Sequence, residues 1–138
     1  MLSDLIRDGF GKAEDLNCAE KILYGANEAY NLGLNAEALK LAAGFGGGMG
    51  IEDVCGALTA SIMVLGRLFV SRNAHQSSIK ELTQELFDRY RQAMDSIDCA
   101  PLKAAHRNEE IQCDRVIQKA AELLDDIVER ETNLRRSC

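Results

Sequence analysis

Apolar residues recur at steps of three and four positions along most of the chain, and this spacing places them on one face of a helix. The first half of the chain predicts a helix over residues 2–10, a second over residues 21–30 behind an N-cap at Asn17, and a short third helix behind Asn35. Residues 53–70 are apolar on nearly all sides and therefore predict a central, buried helix.

The second half of the chain predicts two longer helices. Either Ser77 or Ser78 caps a fifth helix, whose apolar stripe continues to residue 97, and Ser78 also has capping-box spacing to an acidic residue. A last helix begins within residues 111–114, and the charged tail beyond residue 130 is expected to fray.

Two segments interrupt the helical pattern. Five glycines within residues 44–50 predict a loop, because each glycine in a helix costs about 1 kcal/mol, and their density favours a backbone that lies close to another group. Pro101 predicts a break at residues 98–101, because proline disfavours helical backbone at the residue before it. Residues 103–111 are polar and are expected to form a mobile connection.

The composition supports the same fold class. The 138 residues are rich in alanine, leucine, glutamate, lysine and arginine, contain one proline and no tryptophan, and make a chain of the length of one domain. We therefore expect an all-α fold in a single domain over residues 1–138. Its architecture is predicted to be a compact bundle of about five to six helices with a glycine-rich loop between two of them.

The charge balance narrows the possible partners. Sixteen basic against 22 acidic residues give a net charge of −6, so no basic surplus exists for binding nucleic acid or an anionic membrane surface. The acidic side chains, Asp125 among them, are expected on the solvated surface. No apolar stretch is long enough to span a bilayer and residues 1–8 lack a signal-peptide pattern, so we expect a cytoplasmic protein whose thiols are kept reduced.

Five cysteines are the unusual feature of the composition. Cys18, Cys55 and Cys113 fall at predicted helix starts, where unpaired N–H groups and the helix dipole are expected to lower the pKa of a thiol. Cys99 falls in the predicted joint before the proline. These four are the candidate reactive or metal-ligating residues, with small buried apolar residues as the alternative interpretation. Cys138 is expected to be exposed and without a role.

None of the common short motifs is present. The absence of C-x-x-C excludes a thioredoxin-type dithiol and a zinc ribbon, and the absence of C-x-x-C-H excludes covalent haem attachment. The glycine run matches neither a dinucleotide fingerprint nor a P-loop. Glycines whose backbone N–H groups are candidates for contact with a cofactor or thiolate are Gly46, Gly47, Gly48 and Gly56.

The two histidines differ in their expected roles. His75 lies just before a helix start and is expected to be exposed, whereas His106 lies midway between Cys99 and Cys113 and is a candidate ligand or proton partner. No Ser-His-Asp order or paired-carboxylate motif is present, so the sequence predicts no substrate.

Segments around the four cysteines resemble a known family. The chain resembles, over nearly its whole length, the redox-active proteins named after the pattern C_GCAxxG_C_C. The resemblance rests on Asn17-Cys18-Ala19-Glu20, on residues 45–50 followed by residues 54–59 as the central signature, and on Cys99 and Cys113 as the third and fourth cysteines. One departure is clear, since Ala60 stands where the family signature ends in glycine.

The resemblance implies a helical protein with redox-active cysteines. Members of the family are often encoded near transporters, which implies a functional link to a transporter, and the fold is similar to the iron–sulfur part of split-Soret cytochromes. That similarity makes a [2Fe–2S] cluster the cofactor hypothesis, for electron transfer to an unidentified partner or for redox sensing, with zinc as the alternative metal. The cluster ligands implied in this way are Cys18, Cys55, Cys99 and Cys113.

Two further functions stay open at the level of the sequence. One is a metal-free thiol–disulfide protein, for which Cys99 and Cys113 are the first guess as a pair because they are closest in sequence. The other is a non-catalytic helical interaction module, such as a homodimer, in which the cysteines serve only in packing.

Overall fold

The computed structural model describes residues 1–136 and contains no strand within them. The all-α prediction is confirmed. The described residues form one helix more than the six that were expected at most, because residues 99–106 are also helical. Cys138, expected to be exposed, lies outside the described residues. The helices are α1 (Leu2–Arg7), α2 (Cys18–Ala29), α3 (Ala36–Leu39), α4 (Gly56–Phe69), α5 (Ile79–Met94), α6 (Cys99–His106) and α7 (Asp114–Arg136).

Polar N-caps fix the starts of the early helices. The Asn17 side chain accepts a hydrogen bond from the Glu20 N–H, and the Glu20 carboxylate accepts one from the Asn17 N–H, so a complete capping box begins α2. The Asn35 side chain accepts a hydrogen bond from the Ala38 N–H at the start of α3, without a reciprocal bond. The capping box expected at Ser78 does not form, because the hydroxyl of Ser77 instead accepts the hydrogen bond from the first N–H of α5.

The core lies around α4, as its apolar sequence predicted. This helix packs against α2, α5 and α7, and nearly all of its side chains are buried or half-buried. Tyr90 of α5 is fully buried and donates a hydrogen bond from its hydroxyl to the Val116 carbonyl oxygen at 3.0 Å. None of the helices within residues 1–136 combines the length and apolarity needed to cross a membrane.

Three predictions about the second half are wrong. Residues 98–101 begin α6 instead of breaking the chain, because Pro101 occupies the first turn, where an N–H would have no helical partner. The fifth helix ends at Met94, earlier than predicted, since Asp95 adopts a left-handed φ of 68°. The tail does not fray at residue 131, since α7 continues to Arg136 and the Arg135 guanidinium lies 4.7 Å from the centre of the Phe69 ring.

The glycine segment, defined as residues 44–52, is irregular as predicted. A 3₁₀ turn over Lys40–Phe45 runs into a left-handed stretch in which Gly47, Gly48 and Gly50 have positive φ, as do Met49 and Glu52. Because an L side chain in this region of φ is disfavoured, the two non-glycine residues are strained. The segment links α3 to α4 and passes directly beside the N-terminus of α4.

A buried carboxylate joins the first helix to the last. Asp125, expected on the solvated surface, is only 3 % exposed in the middle of α7. Its oxygens accept hydrogen bonds from the N–H groups of Leu2 at 3.0 Å and Ser3 at 2.9 Å, and from the Tyr30 hydroxyl at 2.5 Å. Asp125 therefore caps α1 from another helix, which is why a charged group is retained there.

Candidate functional site

Each of the four candidate cysteines lies at the start of a helix. Cys18 is the first residue of α2 and Cys55 is the N-cap of α4, as predicted. Cys113 directly precedes α7, and its carbonyl oxygen accepts the hydrogen bond from the Ile117 N–H at 3.0 Å. Cys99 was expected in a non-helical joint, and that expectation is wrong, since it is the first residue of α6.

The four helix starts meet at one cavity of about 600 Å³. Cys18, Cys55, Cys99 and Cys113 all line it, although they are scattered over most of the sequence. All four are free thiols. Apolar side chains complete the wall, among them Leu16, Leu102, Val116 and Ile117.

Backbone hydrogen bonds hold the chain segments that carry Cys55 and Cys99 side by side. The Cys55 N–H donates to the Ile97 carbonyl oxygen at 2.8 Å, and the Cys99 N–H donates to the Asp53 carbonyl oxygen at 2.6 Å. These bonds form an antiparallel bridge between Val54 and Asp98. They also explain why α4 begins at Gly56 and not near Asp53, because the residues before it are held extended.

Two of the predicted glycines are places of very close approach. A Cβ atom on Gly56 would lie 2.6 Å from the Phe45 carbonyl oxygen and 2.7 Å from the Cys18 Sγ. A Cβ atom on Gly48 would lie 2.8 Å from the Cys99 Cβ and 2.5 Å from backbone atoms of Asp53. Both glycines therefore make room for cysteine residues of the cavity.

The other glycines have different surroundings. Gly47 lines the cavity, and a Cβ there would meet nothing within 4 Å. Gly46 does not line the cavity but packs against the side chain of Asn17, so it makes room for the cap of α2. Ala60, where the family signature ends in glycine, is buried in the core away from the cavity wall.

Burial raises the pKa of three cavity thiols, whereas the field of the helix starts was predicted to lower thiol pKa values. Desolvation, and to a lesser extent the neighbouring Cys18 thiol, raises the pKa of Cys55 to about 12, despite opposing hydrogen bonds from the backbone of Ala57 and Leu58. Desolvation is also the largest cause of a raised pKa at Cys99 and at Cys113. The prediction of lowered values is therefore wrong for Cys55 and Cys113, because burial outweighs the favourable field of the helix starts.

The raised pKa of Cys55 predicts a loss of stability in mild alkali. The unfolded thiol ionises near pH 9 but the folded one only near pH 12, so the contribution to stability is fully present below pH 9 and falls as the pH rises. Between pH 8 and pH 10 this loss is about 1 kcal/mol. Urea unfolding of the reduced wild-type protein and of Cys55→Ala should show a steeper decline for the wild type. Equal slopes of stability against pH in the two proteins would contradict the assignment of the alkaline loss to Cys55.

The structure places neither histidine in the cavity wall and gives no single-ion site within residues 1–136. His75 is exposed as expected. His106 does not line the cavity, and its buried Nδ1 atom has no hydrogen-bond partner within the described residues. Within residues 1–136, no group of three or more His, Cys, Asp or Glu residues is spaced to hold a metal ion.

Basic side chains at the cavity were missed in the sequence. Lys12, Lys21, Lys103 and Arg107 all line it. Helical spacing was an available signal for two of them, because Lys21 stands three residues after Cys18 and Lys103 four residues after Cys99, and such positions share a helix face.

The chain matches the model of a protein family. The family described as "Putative redox-active protein (C_GCAxxG_C_C)" matches residues 16–127, which include all four cysteines of the cavity and both close-approach glycines. Comparison with curated proteins and with solved structures gives no match.

Proposed function

Because the chain belongs to the C_GCAxxG_C_C family of redox-active proteins, we propose that Cys18, Cys55, Cys99 and Cys113 ligate a [2Fe–2S] cluster used for electron transfer. The observation that carries the proposal is the convergence of four cysteine-bearing helix starts on one cavity. Four cysteine thiolates are the usual ligand set of such a cluster. When bound, the cluster supplies a one-electron carrier.

The helix starts and burial act in opposite directions on the charge of the sulfur atoms. Helix starts direct N–H groups and a positive partial charge toward the cavity, which stabilises negative charge on sulfur. The burial that raises the pKa of Cys55, Cys99 and Cys113 keeps these thiols protonated at neutral pH without a metal. A bound cluster would take the place of these protons, so proton competition should weaken ligation as the pH falls.

The proposal rests on the shared cavity and not on the spacing of a metal site. Cys18, Cys55, Cys99 and Cys113 all line the cavity, although no group of three or more His, Cys, Asp or Glu residues within residues 1–136 is spaced to hold a metal ion. Gly56 leaves space at the Cys18 Sγ, so this sulfur can lie close to the α4 backbone. Such contacts between backbone and ligand sulfur tune the potential of a cluster.

The proposal predicts coloured, iron-containing protein. Protein purified without oxygen should contain about two iron and two sulfide per chain and absorb in the visible range. Serine variants at each of the four cavity cysteines should each lose most of the iron, whereas Cys138→Ser, a change outside the matched residues, should retain it. Colourless, iron-free wild-type protein after anaerobic reconstitution would refute the cluster.

A metal-free redox dithiol is the second candidate, and one observation favours a particular pair. The Cys18 Sγ lies against Gly56, the neighbour of Cys55, and Cys18 is the thiol that acts most on the pKa of Cys55. We therefore propose Cys18–Cys55 as the disulfide of such a protein, in place of the Cys99–Cys113 pair favoured by sequence distance.

Oxidation by a disulfide reagent tests this pair. Two thiols would lose two protons and two electrons as the new S–S bond forms and the reagent is reduced to two thiols. Peptide mapping should then identify Cys18 linked to Cys55, reversibly. An unchanged thiol count, or a different linkage, would exclude the pair.

A further inference from the structure

We infer that the thiol cavity contains a binding site for a small anion, formed by Lys21 and Arg107 beside Cys113. The ligand class is a small molecule that carries a carboxylate or a phosphate group. The inference goes beyond the proposed function, because it concerns cationic side chains that are not thiol ligands and holds with or without a cluster.

The charge pairing at the cavity leaves two cations without an anionic partner. Lys12 pairs with Asp114 at 2.8 Å, and Lys103 pairs with Glu52 at 3.1 Å. Within the described residues, neither Lys21 nor Arg107 forms an ion pair.

Arg107 has only a neutral partner. Its guanidinium donates a hydrogen bond to the Gln112 Oε1 at 2.6 Å. An amide oxygen satisfies one donor but neutralises no charge, so the charge remains available to a ligand. Since the whole chain carries a net charge of −6, unpaired cations at its thiol cavity are a local departure from the overall charge.

The unpaired cations act directly on one thiol. Arg107 is the largest influence opposing the raised pKa of Cys113, and Lys103 and Lys21 act in the same direction. The hydrogen bond to Glu52 raises the pKa of Lys103, and repulsion from Arg107 opposes that rise. Bringing cations together costs free energy that a bound anion would offset. Asp15 and Glu110 also line the cavity, but neither is among the main influences on the pKa of Cys113.

Size and donor chemistry define the ligand class. A cavity of about 600 Å³ is within the range of small-molecule sites and exceeds what four thiols need. Arginine offers a planar fork of donors that matches the two oxygens of a carboxylate or phosphate, and lysine adds a point charge. Half-buried Cys113 would then face the bound anion.

The first test compares two alkylating reagents that differ in charge. Cys113 of the full, reduced chain without added metal is alkylated with anionic iodoacetate and with neutral iodoacetamide, and mass spectrometry gives both rates. Their ratio cancels the ionised fraction of the thiol, so it reports the attraction of the anion alone. We expect Lys21→Gln and Arg107→Gln each to lower the iodoacetate-to-iodoacetamide ratio about two- to five-fold.

Matched controls separate the site from the general field of the protein. Lys80→Gln and Arg72→Gln remove exposed cations that do not line the cavity, and both should leave the ratio unchanged. Inorganic phosphate should slow the iodoacetate reaction more than chloride at equal ionic strength. The inference would be overturned if the wild type and the cavity variants had the same iodoacetate-to-iodoacetamide ratio. It would also be overturned if the control variants changed this ratio as much as the cavity variants do.

A second measurement applies to protein in which a cluster ligates Cys113, so that Cys113 is not alkylated. Protein as purified is titrated with inorganic phosphate by calorimetry at constant ionic strength. Binding by the wild type that is lost in the Lys21→Gln/Arg107→Gln double variant supports the site, and no binding by the wild type overturns it. The iron content of the same samples reports separately on the cluster.

Discussion

Gly56→Ala should destabilise the folded protein by about 1–3 kcal/mol and deplete the candidate site of iron. The added Cβ would meet the Phe45 carbonyl oxygen at 2.6 Å and the Cys18 Sγ at 2.7 Å. A backbone oxygen cannot rotate away as the end of a side chain can, so α4, the glycine segment or Cys18 must move. Chemical unfolding and the iron content after anaerobic reconstitution measure the two effects.

Gly66→Ala is the matched control in the same helix. A Cβ there would meet nothing within 4 Å, and alanine favours helix over glycine by about 1 kcal/mol, so this variant should be neutral or slightly more stable. It should also keep the wild-type iron content. If both variants behaved alike, the close approach at Gly56 would have no energetic importance.

Asp125→Ala should have the largest effect on stability, a loss of about 3–5 kcal/mol. The change leaves the N–H groups of Leu2 and Ser3 and the hydroxyl of Tyr30 without their acceptor. Buried donors without a partner retain the full cost of leaving water. The midpoint and slope of a urea unfolding curve give the change in the free energy of unfolding.

Two further variants identify the cause of that loss. Tyr30→Phe removes only one donor and should cost about 1 kcal/mol. Asp126→Ala removes the next carboxylate along α7, which is exposed and pairs with Arg89, and should cost less than 1 kcal/mol. An equal loss in Asp125→Ala and Asp126→Ala would show that the buried cap of α1 is unimportant.

Local patterns in the sequence predicted most of the fold. The three-four spacing of apolar residues identified α2, α4, α5 and α7, and Asn17 and Asn35 identified two helix starts, because these signals act within one turn of a helix. The start of α6 was missed since Pro101 normally interrupts a helix, and only its position within the first turn makes it acceptable.

The site was predicted in its residues but not in its physical state. Cysteines at helix starts were visible in the sequence, yet their raised pKa values depend on how many atoms pack around each sulfur, which is a property of the tertiary structure. Asp125 shows the same limit, because its position on α7 looks polar until α1 and Tyr30 pack against it. The transporter link and the homodimer stay predictions.

The order of the four helix starts along the chain has a consequence for biosynthesis. Cys113 precedes α7, and α7 packs against α1, α2, α4, α5 and α6, so the cavity cannot close on a nascent chain before Asp114–Arg136 has been translated and docked. Until then, the earlier thiols emerge from the ribosome without the wall that shields them. A site with all four cysteines can therefore form only after α7 has been made, and the earlier thiols should be most open to oxidation before that.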